Sequence, residues 1–167
     1  MNLFYLDRDP VIAASYHYDK HKVKMVLEAA QMLCTAHHCY GDEKLKHLIP
    51  YKQAHLNHPS TIWVRRSRVT YFWAYEYMIA LGKEYTKRYG KEHLTIIKCK
   101  DFLSNPPRYI QGDDWCEPPQ CMPDEYKVKG NSIAAYWNYY EQEKHLVRNK
   151  NEQKIIRPRN ISELCEY

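Results

Sequence analysis

His21, Lys24, Glu28, Gln31 and Thr35 fall at offsets of 0, 3, 7, 10 and 14. That spacing aligns five side chains along one stripe of an α-helix. An imidazole, an ammonium, a carboxylate and an amide in one row resemble an active-site wall. The same row also reads as a solvated helix face with an i,i+4 ion pair from Lys24 to Glu28. Val23, Val26, Leu27, Ala30, Leu33 and Cys34 make the opposite, core-facing stripe.

The elements that must position this row are legible from their punctuation. Asp9-Pro10 reads as a helix start, with Asp as N-cap and Pro in the first position; the helix is expected over 10–16. The helix carrying the row starts at Asp19 and ends near His38, before Gly41-Asp42. A loop follows over 40–57, with one helical turn at 43–48. Ser60 caps a short helix over 61–67. A long helix over 69–89, closed by Gly90, presents Val69, Phe72, Trp73, Tyr75, Glu76, Met78, Ile79, Leu81 and Gly82 as a broad, mainly apolar face. A short helix over 94–103 stops at Asn105-Pro106-Pro107. The Pro-rich stretch 104–130 reads as long and irregular, and segments of this size are often functional. Asn131 or Ser132 caps a last helix running to about 148. Within it Trp137, Tyr139 and Tyr140 sit at spacings that cannot all turn inward. Strand alternation is weak everywhere. The expectation is therefore all-α: one compact domain over 1–167 with three main helices, 19–38, 69–89 and 132–147. Irregular connections at 40–57 and 104–130 and a loose tail over 150–167 complete it.

The 167 residues suffice for one domain with a real core. Sixteen tyrosines dominate the aromatic set, and their flat faces and hydroxyls suit either a core or a stacking surface. The net charge of +5 favours a polyanionic partner over an acidic one. The basic residues cluster at Lys20, Lys22 and Lys24; at Arg65, Arg66 and Arg68; at Lys83, Lys87, Arg88 and Lys91; and between Arg148 and Arg159. No segment has the length and apolarity of a membrane span, and Met1 to Asp7 lacks the pattern of a signal peptide. An intracellular monomer with reduced thiols is expected, without a cofactor. Cys34 with Cys39, and Cys116 with Cys121, share a four-residue gap that a zinc site could use. A two-residue gap is more usual, and no metal is expected.

Four short motifs carry a resemblance. Asn2-Leu3 stands at the extreme N-terminus; Asp19, His21 and Glu28 form D-x-H-x6-E; Val69-Thr70-Tyr71-Phe72-Trp73 opens the long helix; Trp137-Asn138-Tyr139-Tyr140 forms an aromatic patch. In order and spacing the chain resembles the phage pyrimidine-dimer DNA glycosylases, the small endonuclease V enzymes. It is longer than they are, through 40–57 and 104–130, and has Asn2 where they expose a small residue. The resemblance implies a DNA-repair glycosylase and AP lyase acting on double-stranded DNA in the cytoplasm of a phage-infected cell. Its nucleophile would be the terminal amine of Met1, or of Asn2 after removal of Met1. An α-amine ordinarily titrates far below a lysine, so a useful fraction is neutral and nucleophilic. The catalytic carboxylate would be Glu28, with His21 orienting it or touching a phosphate. Lys24, Arg65, Arg66, Arg68, Lys87 and Arg88 would hold the DNA backbone, and Trp137, Tyr139 and Tyr140 would stack on bases.

Three other readings stay open on sequence grounds. One keeps the scaffold and acts on a modified phage base. Another is a non-catalytic DNA- or nucleotide-binding protein. The last is a helical interaction protein with the tyrosine patch as its interface.

Overall fold

The computed structural model describes residues 1–159. Most of the α-helices begin where the side chain of the capping residue satisfies otherwise orphaned N–H groups. Asp9 Oδ1 accepts from the Val11 and Ile12 amides and opens α1, Pro10–Ser15. Then come α2, Asp19–Tyr40, and a 3-10 turn, Glu43–Leu48. The next helix, α3, is Pro59–Val64, two residues earlier than expected. Its cap is His58, whose Nδ1 accepts from the Ser60 amide, so Ser60 lies inside the helix. The long α4, Arg68–Tyr89, starts at a reciprocal Ser67–Thr70 capping box and ends at Gly90 in the left-handed region, φ 68°. After α5, Leu94–Leu103, the chain is irregular until Asn131 caps α6, Ser132–Gln142.

Helices α2 and α4 form the central pair; α1 packs on α4, and α5 leans on both. Gly82 lets α5 come close: a Cβ there would lie 2.5 Å from Ile96 Cγ1. The fold is all-α, with no strand among the described residues. Four helices of ten or more residues build it, not three, because α5 is a full packing element that buries Ile96, Cys99 and Leu103. At the other end α6 is shorter than expected. Glu143 leaves helical geometry (φ −120°, ψ −47°) and the chain tightens into a 3-10 turn, Lys144–Val147.

The faces of the two long helices also differ from expectation. On α2, Val26, Ala30, Leu33 and Cys34 of the expected stripe are buried, but Val23 and Leu27 are exposed, and Met25, Ala29, Met32 and Ala36 join the core in their place. On α4, Val69 and Phe72 are exposed, and Thr70, Tyr71, Ala74 and Tyr77 turn inward beside Trp73. Both helices are flanked by several elements, so small and hydroxylated residues replace a single greasy stripe.

The N-terminal residues 2–6 run through the middle of the protein, all buried. The Trp137 and Trp73 indoles fix this segment by donating to the Leu6 and Arg8 carbonyls, at 2.8 and 2.7 Å. The segment 104–130 is irregular but tied down. The Cys116 carbonyl accepts from the Trp63 indole, the Asp114 carbonyl from Ser67 Oγ and the Pro118 carbonyl from Ser132 Oγ. Of the tail expected over 150–167, residues 160–167 lie outside the described part. The remainder makes discrete contacts: the Ile155 amide donates to the Tyr18 hydroxyl, and Glu152 Oε1 accepts from the Asp19 amide. No helix among the described residues is long and apolar enough to cross a membrane.

Candidate active site

The N-terminal segment meets the polar row of α2 in a cavity of about 440 Å³. At one end lies Glu28, buried at its stem on a helix turned mostly into the core. Its Oε2 accepts from the Asn2 backbone amide at 3.0 Å and stands 3.7 Å from the Met1 α-amine. Lys24 Nζ approaches Oε1 at 3.2 Å, so the expected i,i+4 pair is present. The carboxylate thus faces an ammonium, an amine and an amide hydrogen at once.

The position of the amine is held by side chains well beyond its neighbourhood in sequence. The Met1 side chain is only 2 % exposed, and its sulfur accepts from Thr61 Oγ1 at 3.5 Å. Asn2 Nδ2 donates to the Cys121 carbonyl at 2.9 Å, and its Oδ1 accepts from the Leu3 amide at 2.8 Å. The Tyr136 hydroxyl lies 2.9 Å from Asn2 Oδ1 and 2.8 Å from the Pro119 carbonyl, and its single proton can serve either. Phe4 follows at φ 45°, a left-handed conformation uncommon outside glycine. Its ring lies flat on His21, centroids 4.7 Å apart and planes at 15°.

His21 closes the other end of the cavity. Its Nδ1 is 2.8 Å from the Tyr140 hydroxyl. Burial, reinforced by the positive charges of Lys144 and Lys24, pushes its pKa down to about 4, so the ring is neutral near pH 7. Lys20 and Lys144 also line the cavity. Lys144 Nζ sits 4.3 Å above the Tyr139 ring and 3.1 Å from Glu143 Oε1. Outside the cavity, burial, the terminal amine and His55 lower the pKa of His58, and Glu28 opposes the shift.

The cavity therefore gathers Met1, Asn2, His21, Lys24, Glu28 and Tyr139 of the residues singled out in the sequence. The others are placed elsewhere. Trp137 and Tyr140 are fully buried. Trp137 is committed to the Leu6 carbonyl and Tyr140 to His21, which corrects their expected role as stacking surfaces. Only Tyr139 of that patch turns to the cavity, as the spacing required. Arg65 donates to the Leu56 carbonyl at 2.8 Å. Arg68 pairs with Asp113, Lys87 with Glu84 and Arg88 with Asp19, so these three cations are tied to carboxylates of the chain. Arg66 is exposed with no ion-pair partner among the described residues.

Sequence reasoning missed Phe4, Cys121, Tyr136 and Lys144 as parts of the site. Apart from Phe4, each comes from more than 90 positions beyond Glu28, and no local spacing marks it. Lys20 had been seen only as part of a charge cluster. No protein family, no curated protein and no solved structure matches the chain.

Proposed function

We propose that the protein is a DNA glycosylase and AP lyase that excises damaged bases, pyrimidine dimers among them, or modified bases from double-stranded DNA. Its nucleophile is the Met1 α-amine, or the Asn2 amine where Met1 is removed. The observation that carries the reading is the convergence of the Met1 amine and the Asn2 amide on one Glu28 oxygen, at 3.7 and 3.0 Å, inside a cavity bordered by lysines.

The steps follow from those groups. The amine lone pair forms a bond to C1′ of the target nucleotide while the glycosidic bond breaks, and the bonding pair leaves with the base, which takes a proton. Positive charge develops on the sugar, and a fixed carboxylate beside it lowers the barrier. Glu28 takes one amine proton and passes it to O4′ as the nitrogen lone pair breaks the C1′–O4′ bond, which leaves a protonated imine at C1′. Removal of a C2′ proton by Glu28 then expels the 3′ phosphate by breaking the C3′–O bond, and water hydrolyses the imine. Exposing C1′ requires unstacking the base, which costs a few kcal/mol and less when the base is damaged.

The second reading is a DNA- or nucleotide-binding protein without catalysis. It draws on one distance pattern: the Asn2 amide, rather than the amine, makes the shorter contact to Glu28. Borohydride trapping on an abasic duplex separates the two. A covalent adduct whose modified peptide contains Met1 or Asn2 is expected. Salt-sensitive duplex binding without an adduct supports the second reading, and absence of both removes DNA as the partner.

A further inference from the structure

Val69, Phe72, Trp73 and Glu76 stand at offsets of 0, 3, 4 and 7 and so share one face of α4. The Glu28 cavity makes no use of them, and the fold leaves Val69 and Phe72 37 and 40 % exposed. In front of this face lies a second cavity of about 870 Å³, which shares no lining residue with the first. Tyr5 and Arg8 from the N-terminal segment complete it, with Trp115 to Glu117 from the 104–130 segment.

Two indoles hold its walls in place. The Trp73 N–H donates to the Arg8 carbonyl at 2.7 Å and the Trp63 N–H to the Cys116 carbonyl at 2.9 Å, which pins both irregular segments to the helices. The rings of Tyr5, Trp73, Trp63 and Trp115 close a circuit, with neighbouring centroids 5.2–6.2 Å apart and planes inclined at 39–89°. Trp63 backs this circuit, while Tyr5, Trp73 and Trp115 line the cavity together with Phe72. A group inside therefore meets aromatic rings in several planes.

The charged residues of the cavity are Glu76, Glu117 and Arg8, all exposed. None has an ion-pair partner among the described residues, and no cation among them lies over Phe72, Trp73 or Trp115. Two carboxylates against one guanidinium make the rim net negative, on a chain whose net charge is +5. Ring faces are electron-rich and attract cations, the more so where water is excluded. A primary ammonium brings three N–H donors that ring walls leave unsatisfied, whereas a quaternary ammonium brings none.

We propose that this cavity is an aromatic cage for a small quaternary ammonium ion. The rings of Phe72, Trp73 and Trp115 supply the contact surface, and Glu76 and Glu117 supply the attracting charge. Its volume lies in the ordinary range for small-molecule sites. The cage is independent of the DNA-directed reading.

Calorimetric titration of the full chain with choline and with dimethylbutanol, in which a carbon replaces the nitrogen, separates charge from shape. Choline should saturate one site and bind about tenfold tighter than the alcohol. Nitrogen-15 spectra locate that site: of the four indole N–H signals, those of Trp73 and Trp115 should move and that of Trp137 should not. Trp115→Leu removes a ring but keeps an apolar wall, so choline should weaken about fivefold and the alcohol change less than about twofold. At low salt Glu117→Gln should weaken choline and Arg8→Gln should tighten it, each by about twofold to threefold. Absence of choline binding, equal affinity for the alcohol, or indole shifts confined to Trp137 overturns the cage. Butylammonium bound as tightly as choline overturns the quaternary assignment. Choline binding is read without DNA, so a failure of borohydride trapping overturns the catalytic reading and leaves the cage standing.

Discussion

His17 and His21 are one helical turn apart in sequence, and their rings lie 6.2 Å from each other. Both are buried, and burial is the main reason each stays neutral. Their valences differ. His17 donates from Nδ1 to the Ala13 carbonyl and accepts on Nε2 from the Tyr77 hydroxyl at 2.6 Å, so nothing is left to offer. His21 spends one nitrogen on Tyr140 and turns the other to the cavity. The lesson is that burial and a lowered pKa do not mark a functional histidine. An accounting of both ring nitrogens separates the saturated ring from the one that still faces the cavity. The same contrast extends along α2 to its carboxylates. Asp19 is closed off by Arg88 and Glu152-linked backbone, whereas Glu28 meets the terminal amine inside an open cavity.

The sharpest way to break the contrast is at its open end. Glu28→Gln keeps the size and one acceptor but loses the charge. Strand cleavage should fall on the order of 10²-fold or more, as for other preorganised electrostatic groups. Duplex affinity should hold or tighten slightly, since it comes from lysines and arginines. Circular dichroism must report a folded protein, because the exposed Lys24 partner is worth only about 0.3–0.5 kcal/mol. Full cleavage by folded Glu28→Gln would sink the catalytic assignment.

The closed end should respond in stability instead. His17→Phe leaves the buried Tyr77 hydroxyl without its acceptor, at a cost of about 1–3 kcal/mol. Thermal unfolding should drop by several degrees, while the turnover of the folded fraction stays within about twofold. A loss of turnover with unchanged stability would reverse the roles of the two rings.

Acid offers a joint test. His21 and His37 both have pKa values lowered to about 4 from the usual 6.5, so between those limits the unfolded chain binds more protons than the folded one. Stability therefore rises with pH through this window, is complete above about 6.5, and is lost progressively down to about 4. The melting temperature of His21→Gln should fall less steeply across the window than that of wild type; parallel slopes would refute a neutral His21.

The smallest effects are expected in salt dependence. Alanine at Lys20 or Lys144 should each lower the slope of log affinity against log salt by up to about 0.9. Alanine at Arg88, which is paired with Asp19, should change it less. Equal changes at all three positions would mean that the basic surface is read as a whole and that the cavity has no privilege.

Much of the scaffold was legible because its signals are local. Asp9-Pro10 and Gly90 are start and stop devices that act within four residues, and α1 begins and α4 ends where they say, whereas the Ser67–Thr70 capping box went unread because Ser67 was placed at the end of the preceding helix. The alternation at Trp137, Tyr139 and Tyr140 correctly required one ring to face outward, but not which one. The faces of α2 and α4 were read less well, since periodicity weights large apolar residues. Ala29 and Ala36, which such weighting passes over, are fully buried beside the expected Ala30. At the site, the row His21–Lys24–Glu28 was visible because all three stand on one helix. Lys144, Tyr136 and Cys121 were not, because they reach the cavity only through the docking of α6 and the 104–130 segment.

The enclosed Met1 side chain has a practical corollary for the laboratory. An affinity tag fused ahead of Met1 would turn the amine into an amide and thread extra polypeptide through the space a substrate needs. Under the proposed amine chemistry, such a fusion would register as inert in every trapping and cleavage assay, however well it folded. Recombinant protein for these experiments should carry its handle after Tyr167, and its first residue should be verified by intact mass before any activity is scored.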